Sequence, residues 1–125
     1  MGLLDGLLGN ASEVEAGKMQ EEFAQVLAAG EQVEKAYVVV RDAMLFTNRR
    51  LILVDKQGVT GSKVAYHSLP YRAITHFSVE TAGHFDLEAE LKIWVSGRAE
   101  PFGTTFNKRL NIYHVQAVLA GYVCR

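Results

Sequence analysis

The sequence contains very little cysteine: among its 125 residues there is one, Cys124, next to the last position. One cysteine cannot form an internal disulfide bond, which is typical of a chain that folds in a reducing compartment. A catalytic thiol needs a neighbouring base in an ordered setting, whereas Cys124 lies at the very end of the chain. We therefore expect a cytoplasmic protein in which Cys124 is a small structural residue.

Net charge and long apolar runs are also scarce. Lys and Arg number 13 and Asp and Glu number 14, so the formal net charge is -1. This balance provides no overall field that attracts nucleic acid, so we expect no nucleic-acid partner, and any anion site has to be local. No run approaches the ~20 apolar residues that cross a bilayer. The first residues also lack the basic flank of a secretory signal.

Residues 1–30 are predicted to be helical. Two leucine pairs near the start lie four residues apart, on one side of a short helix that needs a protein surface or a membrane to dock on. Ser12 and Glu15 have the spacing of a capping box, and apolar residues follow them at helical intervals until Gly30. The sequence thus predicts a helical N-terminal extension over residues 1–30 and a separate domain over residues 31–125.

The chain after Gly30 is predicted to form β-strands. Residues 85–95 give the strongest signal, because apolar residues alternate there with mainly polar ones. A period of two places one face in the core and the other in solvent or an interface, and it disfavours a doubly covered parallel sheet. Trp94 interrupts the polar set and is a candidate contact residue on the outer face. Seven strands are predicted in all, over residues 37–40, 44–47, 50–54, 63–69, 74–80, 85–95 and 99–106.

A helix is predicted at the C-terminus. Asn107 can cap it, and Ile112, Val115 and Leu119 recur at intervals of three and four along one face. Strands followed by one helix indicate an α+β, mainly β arrangement, or a small barrel with a helical plug. In such a fold the helix fills the apolar end of a strongly bent antiparallel sheet.

One stretch of the sequence resembles a known family. Residues 44–55 read Met-Leu-Phe-Thr-Asn-Arg-Arg-Leu-Ile-Leu-Val-Asp and are similar to the second and third strands of bacterial pleckstrin-homology-like domains. Residues 66–71 and 74–80 look like the next two strands of that family. The resemblance runs from about Val33 to the C-terminus, with the N-terminal helices as a matching extension.

The resemblance implies a pleckstrin-homology-like fold: a bent antiparallel seven-stranded barrel capped by a C-terminal helix. It also implies a bacterial cytoplasmic protein without catalysis. Members similar to this sequence assemble into ring-shaped homo-oligomers whose neighbours are joined through sheet edges. The physical argument agrees on one point, because an open sheet either protects its edges or pairs them with another chain.

Residues that carry catalysis or bind metals are present, but not at the spacings that this chemistry needs. No two of the four histidines have the helical spacing of a zinc site. Ser68 follows His67 directly, and neighbours on a strand point to opposite faces, so they cannot form a nucleophile–base pair. Glu88 and Glu90 share a predicted solvated face. We expect no catalytic residues, no metal and no cofactor.

Two groups of candidate binding residues remain. The three loops that meet at the open end of a pleckstrin-homology barrel contain basic side chains that could face an anionic headgroup: Arg41, Lys56, Lys63 and Arg98. Nearby carboxylates oppose them, so the net attraction for an anionic surface is small. The candidate subunit-interface residues come from strands with few charges and from the outer face of the strand at 85–95: Tyr37, Val39, Thr75, Phe77 and Trp94.

These patterns favour an oligomerising interaction module that presents a surface to a protein partner, and the family resemblance implies a homo-oligomer, in particular a ring. The sequence does not identify that partner. The alternative is a peripheral membrane or anionic lipid-headgroup binding domain, which would use the loop lysines or the leucine-rich start. An enzyme is the third hypothesis.

Overall fold

The computed structural model describes residues 12–39, 42–58, 62–81, 88–107 and 111–125. The chain divides into two compact units, Met1–Pro70 and Tyr71–Arg125. The predicted boundary between residues 30 and 31 stays a prediction. The predicted leucine-rich helix near the start lies outside the described residues.

The first unit is a five-stranded antiparallel sheet whose strands pair in chain order. Its strands are β1 (Ser12–Val14), β2 (Val33–Val39), β3 (Asp42–Thr47), β4 (Arg50–Gln57) and β5 (Lys63–Pro70). The four strands predicted between residues 37 and 69 are confirmed. Each of them extends beyond a predicted limit, and in β4 the added residues are the polar Asp55, Lys56 and Gln57, which pair with β5.

Both faces of this sheet are apolar at its centre. Leu45 and Ile52 are cross-strand neighbours on one face, and Met44 and Leu53 are neighbours on the other. Consecutive residues of β3 and β4 are buried, as expected for strands covered on both sides. Tyr37 lies on the same face as Met44 and packs edge-to-face on Phe46, with ring centroids 6.0 Å apart.

The segment before β2 covers one of these faces. It contains β1, helix α1 (Ala16–Glu22) and a short 3-10 helix (Ala24–Val26). Met19 and Phe23 from this segment join the buried cluster that includes Leu45 and Ile52. The N-terminal segment is therefore part of the core of the first unit.

The predicted capping box is wrong. Ser12 lies in β1, opposite Val38 of β2, and α1 begins after Glu15 without a side-chain cap. The physical reason is the edge of β2, which offers a row of backbone hydrogen-bonding groups to the residues that a capping box would have placed at a helix start. Pairing with that edge satisfies the backbone of residues 12–14 as a strand.

The second unit contains a three-stranded antiparallel sheet and a helix. The strands are β6 (Ile74–Glu80), β7 (Glu88–Val95) and β8 (Phe102–Asn107), in the order β6-β7-β8. The alternation predicted for β7 is confirmed, because Leu91 and Ile93 are fully buried whereas Glu88 is exposed. Residues 85–87 of the predicted strand lie outside the described residues.

Helix α2 (Ile112–Val123) ends the chain and packs against β6 and the short 3-10 helix Tyr71–Ala73. Its predicted buried stripe of Ile112, Val115 and Leu119 is confirmed. The cap is Asn111 and not Asn107, which is the last residue of β8. The Asn111 side chain accepts hydrogen bonds from two backbone N–H groups in the first turn, at 3.1 and 3.3 Å.

The fold is mainly β with a C-terminal helix, as predicted, but it contains two open sheets in place of a closed seven-stranded barrel. Eight strands are present among the described residues, since β1 adds to the seven that were predicted. The five-stranded sheet ends with strand β5, whose last residue is Pro70, and a 3-10 helix separates β5 from β6. Proline has no backbone N–H to donate, so it is a residue at which a strand commonly ends.

Leu119→Ala should lower the free energy of unfolding by about 2–5 kcal/mol, because Leu119 is fully buried and its loss leaves a cavity. Tyr113→Ala, on the same helix but largely exposed, is the matched control and should change stability by less than about 1 kcal/mol. Urea denaturation followed by circular dichroism measures both. Equal effects of the two substitutions would contradict the assigned packing of α2.

Candidate functional site

The outer face of the three-stranded sheet carries a distinct set of side chains. His76 lies opposite Trp94, and Ser78 lies opposite Lys92. These residues share a face because the intervening residues of β7, Leu91 and Ile93, are buried on the other side. The face thus combines polar and aromatic groups and belongs to the best-predicted strand of the chain.

Trp94 forms a compact cluster with two residues of β6. Its ring stacks on the His76 ring with centroids 4.5 Å apart and planes 11° apart. The Thr75 hydroxyl lies 2.9 Å from His76 Nδ1 and donates to the Trp94 carbonyl at 3.3 Å. A register shift between Ile74 and His76 places Thr75 beside the stack. The cluster fixes a flat, half-buried indole at a surface, which is typical of protein contact sites.

The two edge strands of this sheet carry few charges. Strands β6 and β8 stand at the ends of the order β6-β7-β8, and in the described part of the chain no further strand pairs with either. Glu80 is the one charged residue of β6, and β8 has none. Strand β5, the edge of the other sheet, starts with Lys63 and ends with Pro70, two residue types that protect an edge.

The structure brings together only part of the predicted subunit interface. Thr75 and Trp94 contact each other, while Phe77 lies opposite Ile93 on the inner face. Tyr37 is fully buried, and both sides of its strand are paired, with β1 and with β3. Tyr37 therefore lies inside the first unit. Val39 lies in β2 opposite Asp42.

The described members of the predicted anion-binding set are divided between the two units of the chain. Lys56 and Lys63 lie on the neighbouring strands β4 and β5, and the Asp42 carboxylate accepts a hydrogen bond from the Lys56 backbone N–H at 3.0 Å. Arg98 belongs to the second unit, where its guanidinium lies 3.9 Å from the centre of the Phe102 ring. Arg41 lies outside the described residues. Lys56 lies opposite Val64 and Lys63 lies opposite Gln57, so the two lysine side chains are on opposite faces of the sheet and do not form one basic site.

Within the described residues, an ion pair between the buried Glu31 and the partly buried Arg50 forms a dense polar cluster that was not predicted from the sequence. Arg50 Nε and Nη2 each donate to a different carboxylate oxygen of Glu31, both at 2.9 Å. The Glu31 side chain is inaccessible to solvent. Its oxygens also accept hydrogen bonds from the Thr47 hydroxyl at 2.5 Å and from the Ala28 N–H at 2.9 Å. Both carboxylate oxygens are thus fully engaged within the protein.

The hydrogen bonds from Arg50 are the main reason why the pKa of Glu31 is lowered from 4.5 to about 2. Burial acts in the opposite direction, and the bonds from Ala28 and Thr47 lower the pKa further. The same pairing raises the pKa of Arg50. A carboxylate this acidic and this fully hydrogen-bonded is a structural anchor, since general acid–base catalysis needs a pKa near the working pH.

Two further properties concern the described residues as a whole. Their His, Cys, Asp and Glu side chains form no group of three that could hold a metal ion. Within the same ranges, no helix has the length and apolar character that crossing a membrane requires.

Two antiparallel sheets followed by a C-terminal helix define a pleckstrin-homology-like fold. The chain belongs to the bacterial PH domain family, whose model matches residues 2–123. The predicted family is therefore confirmed, and the match includes the N-terminal segment as well as the strands.

Proteins of unknown role share this sequence over nearly their whole length. The chain is 55% identical over 125 residues to the uncharacterized protein YjqA of Bacillus subtilis, covering 99% of each chain. It is 31% identical over 119 residues to the uncharacterized protein YozO of the same organism, covering 95% of this chain and 98% of that one.

Solved structures from two Shewanella species are also similar. A pleckstrin-homology domain from Shewanella amazonensis matches with a TM-score of 0.82 and 52% identity, covering 98% of each chain. A DUF1696-family protein with a pleckstrin-homology domain from Shewanella loihica matches with a TM-score of 0.78 and 50% identity, covering 92% of this chain and 98% of that one. These likenesses support the fold and do not assign a ligand.

Trp94→Ala should leave the protein folded and lower the free energy of unfolding by about 1–2 kcal/mol, because only a half-buried stack is lost. Leu91→Ala, on the opposite face of the same strand, should cost about 2–5 kcal/mol. Chemical denaturation compares the two. A larger loss for Trp94→Ala than for Leu91→Ala would show that Trp94 is a core residue rather than a surface contact.

Glu31 should make stability fall at acid pH. A carboxylate whose pKa is lower in the folded than in the unfolded state stabilises the protein fully above about pH 4.5, and this contribution is lost as the pH falls towards 2. The difference in unfolding free energy between the wild type and Glu31→Gln should therefore shrink by roughly 3 kcal/mol between about pH 5 and pH 2. Urea titrations at each pH measure it. With the exposed Glu90→Gln as control, a difference that stays constant with pH would contradict the assignment.

Proposed function

We propose that this protein is a non-catalytic, oligomerising protein-interaction module of the bacterial cytoplasm, whose copies join through the edges of the three-stranded sheet. The observation that carries the proposal is that β6 and β8 are both edge strands of one sheet, and together they contain one charged residue. Sheet edges without charges or prolines favour pairing with another chain.

Pairing of β6 of one copy with β8 of the next would extend the sheet from chain to chain. Such a contact is heterologous, because it uses two different surfaces of the same protein. Heterologous contacts form a closed ring when the rotation between neighbours closes, and an open filament when it does not. The pairing thus gives a physical route to the ring that the family resemblance implies.

The cluster of Thr75, His76 and Trp94 lies next to the β6 edge and supports the same proposal. A neighbouring chain that adds to β6 would pass beside the stacked rings. Covering the half-buried indole removes more apolar surface from water, at about 25 cal/mol per Å². The outer face of β7 would then be shared between the subunit contact and the surface offered to another protein.

The support for a non-catalytic role comes from the same side chains. The Glu31 carboxylate is fully engaged by Arg50, Thr47 and Ala28, and its lowered pKa keeps it ionised. His76 is stacked on Trp94 with its Nδ1 next to the Thr75 hydroxyl. The ionised Glu31 carboxylate does not suit proton transfer at neutral pH, and His76 is held in place by its contacts with Trp94 and Thr75.

Lipid-headgroup binding has weaker support. Lys56 and Lys63 lie on opposite faces of the sheet, and the Asp42 carboxylate lies against the Lys56 backbone. A single lysine near an anionic surface contributes only about 1 kcal/mol. Two lysines that cannot face the same surface would attract a membrane weakly.

Proline substitution at the β8 edge tests the proposal. Adjacent residues of an antiparallel strand direct their N–H groups to opposite sides, so one of Thr104 and Thr105 donates towards β7 and the other towards the free edge. Of the variants Thr104→Pro and Thr105→Pro, one should therefore unfold at lower denaturant. The other should melt like the wild type but lose its assembly, measured as molar mass by light scattering.

The well-folded proline variant is decisive, and the destabilised one serves as its internal control. A wild-type mass of several chains that persists in the well-folded variant would contradict pairing through β8. Co-sedimentation of the wild type with anionic vesicles distinguishes the alternative function. Binding that disappears at high salt would favour a headgroup site over the interaction module.

A further inference from the structure

We propose that residues 12–31 form a releasable strap over the five-stranded sheet, held closed by the Glu31–Arg50 ion pair. The strap consists of β1, α1, the short 3-10 helix and the turn that ends at Glu31. When it opens, the outer edge of β2 becomes free. The inference concerns the first unit and does not depend on the pairing of β6 and β8 proposed above.

The strap covers backbone and apolar surface that would otherwise be open. Strand β1 pairs with residues Ala36, Tyr37 and Val38 and thereby occupies one edge of β2. Met19 and Phe23 pack against the apolar face formed by β2, β3 and β4. Without the strap, β2 is an edge strand next to an exposed hydrophobic face, the kind of surface to which another strand adds.

Local structure alone does not hold the strap in place. β1 has 3 residues, and α1 has 7 residues and no side-chain bond at its N-cap. Isolated helices this short are unstable in water, and a three-residue strand contributes few hydrogen bonds. The position of the strap therefore depends on its tertiary contacts, which are the apolar anchors Met19 and Phe23 and the polar network at its end.

The polar network fastens the end of the strap to four strands. Besides the two bonds to Glu31, Arg50 donates to the Val26 carbonyl at 2.6 Å and to the Ser68 hydroxyl at 2.5 Å. Gln20 of α1 donates to the Glu31 carbonyl at 3.0 Å and accepts from the Val33 N–H at 2.6 Å. The network thus connects α1 and the turn to β2 through the Gln20 amide, and to β3, β4 and β5 through the Glu31 carboxylate and the Arg50 guanidinium.

A buried ion pair of this kind holds the strap closed only while both partners are in place. Replacing it by apolar residues often changes stability little, but removal of one partner is strongly destabilising because a buried charge is left uncompensated. When the pair separates, the bonds that join Glu31 and Val26 of the strap to Arg50 and Thr47 of the sheet are lost together, whereas the bond from Arg50 to Ser68 lies within the sheet. The strap should therefore open as a unit, while the strands beneath it, with their fully buried side chains, stay folded.

Native-state hydrogen exchange tests the proposal on the full-length protein. Amides of β1 and α1 should exchange faster than those of β3 and β4 in the wild type at neutral pH. In Glu31→Gln the amides of the strap should exchange about a hundredfold faster than in the wild type, since breaking one partner of a buried pair has an effect of this order. Amides of β3 and β4 exchange by global unfolding, which the loss of Glu31 also makes easier, so they should accelerate as well but remain slower than those of the strap. Glu90→Gln, which breaks an exposed ion pair, is the control and should leave the strap unaffected.

A disulfide staple provides the second measurement. Val14 and Ala36 lie directly opposite each other in β1 and β2, so Val14→Cys/Ala36→Cys in a Cys124→Ser background can link the strap to the sheet. Oxidation should restore slow exchange in the strap of Glu31→Gln, and reduction should abolish it. The proposal is overturned if strap amides exchange at the rate of those of β3 and β4, if Glu31→Gln leaves the exchange of the strap unchanged, or if the staple has no effect.

Discussion

The pairing of Glu31 with Arg50 is the interaction on which the first unit of this protein depends most. The two residues are 19 positions apart, and each is needed to keep the other satisfied in a site from which water is largely excluded. The carboxylate keeps its charge because the guanidinium, a hydroxyl and a backbone N–H all donate to it. Together with the packing of Met19 and Phe23, this contact holds the segment before β2 over one face of the sheet.

Coverage of that face explains the composition of β3 and β4. A sheet with one solvated face alternates apolar and polar residues, as β7 does, whereas β3 and β4 are apolar at consecutive positions. Leu45 and Ile52 need the N-terminal segment as a cover, and that segment needs Arg50 as its attachment. The stretch at residues 44–55, on which the family resemblance rests, therefore combines two tasks. Its apolar residues build the centre of the sheet, and Thr47 and Arg50 fasten the covering segment.

The parts of the fold that local chemistry determines were predictable from the sequence. The alternation in β7 and the stripe of Ile112, Val115 and Leu119 are short-range patterns, and the structure confirms both. A prediction from local sequence is wrong where a long-range contact overrides the local preference. Ser12 has the spacing of a helix cap, but the edge of β2 draws it into a strand.

The candidate site was also predictable from the sequence only where short-range patterns determine it. The outward position of Trp94 follows from periodicity, while its stacking on His76 depends on the cross-strand register, which the sequence does not specify. Tyr37 lies in a run with few charges, and its strand pairs with β1 in this structure, so its predicted contact with another subunit stays a prediction. One feature of the sequence is related to the ion pair. Residues 43–46 and 51–54 are apolar at consecutive positions, which indicates a sheet covered on both faces. A cover on the second face requires a segment that packs on the sheet and is attached to it.

Two open sheets leave this domain with edges of different character. The β2 edge is covered by β1, the β5 edge carries a lysine and a proline, and the edges of β6 and β8 have one charge between them. This asymmetry is the basis for assigning assembly to the three-stranded sheet. Native mass spectrometry of the wild-type protein over a range of concentrations tests that assignment most directly. Pairing of β6 with β8 in a ring predicts one closed species whose mass is a fixed multiple of 13.8 kDa. A single-chain mass at every concentration would contradict it.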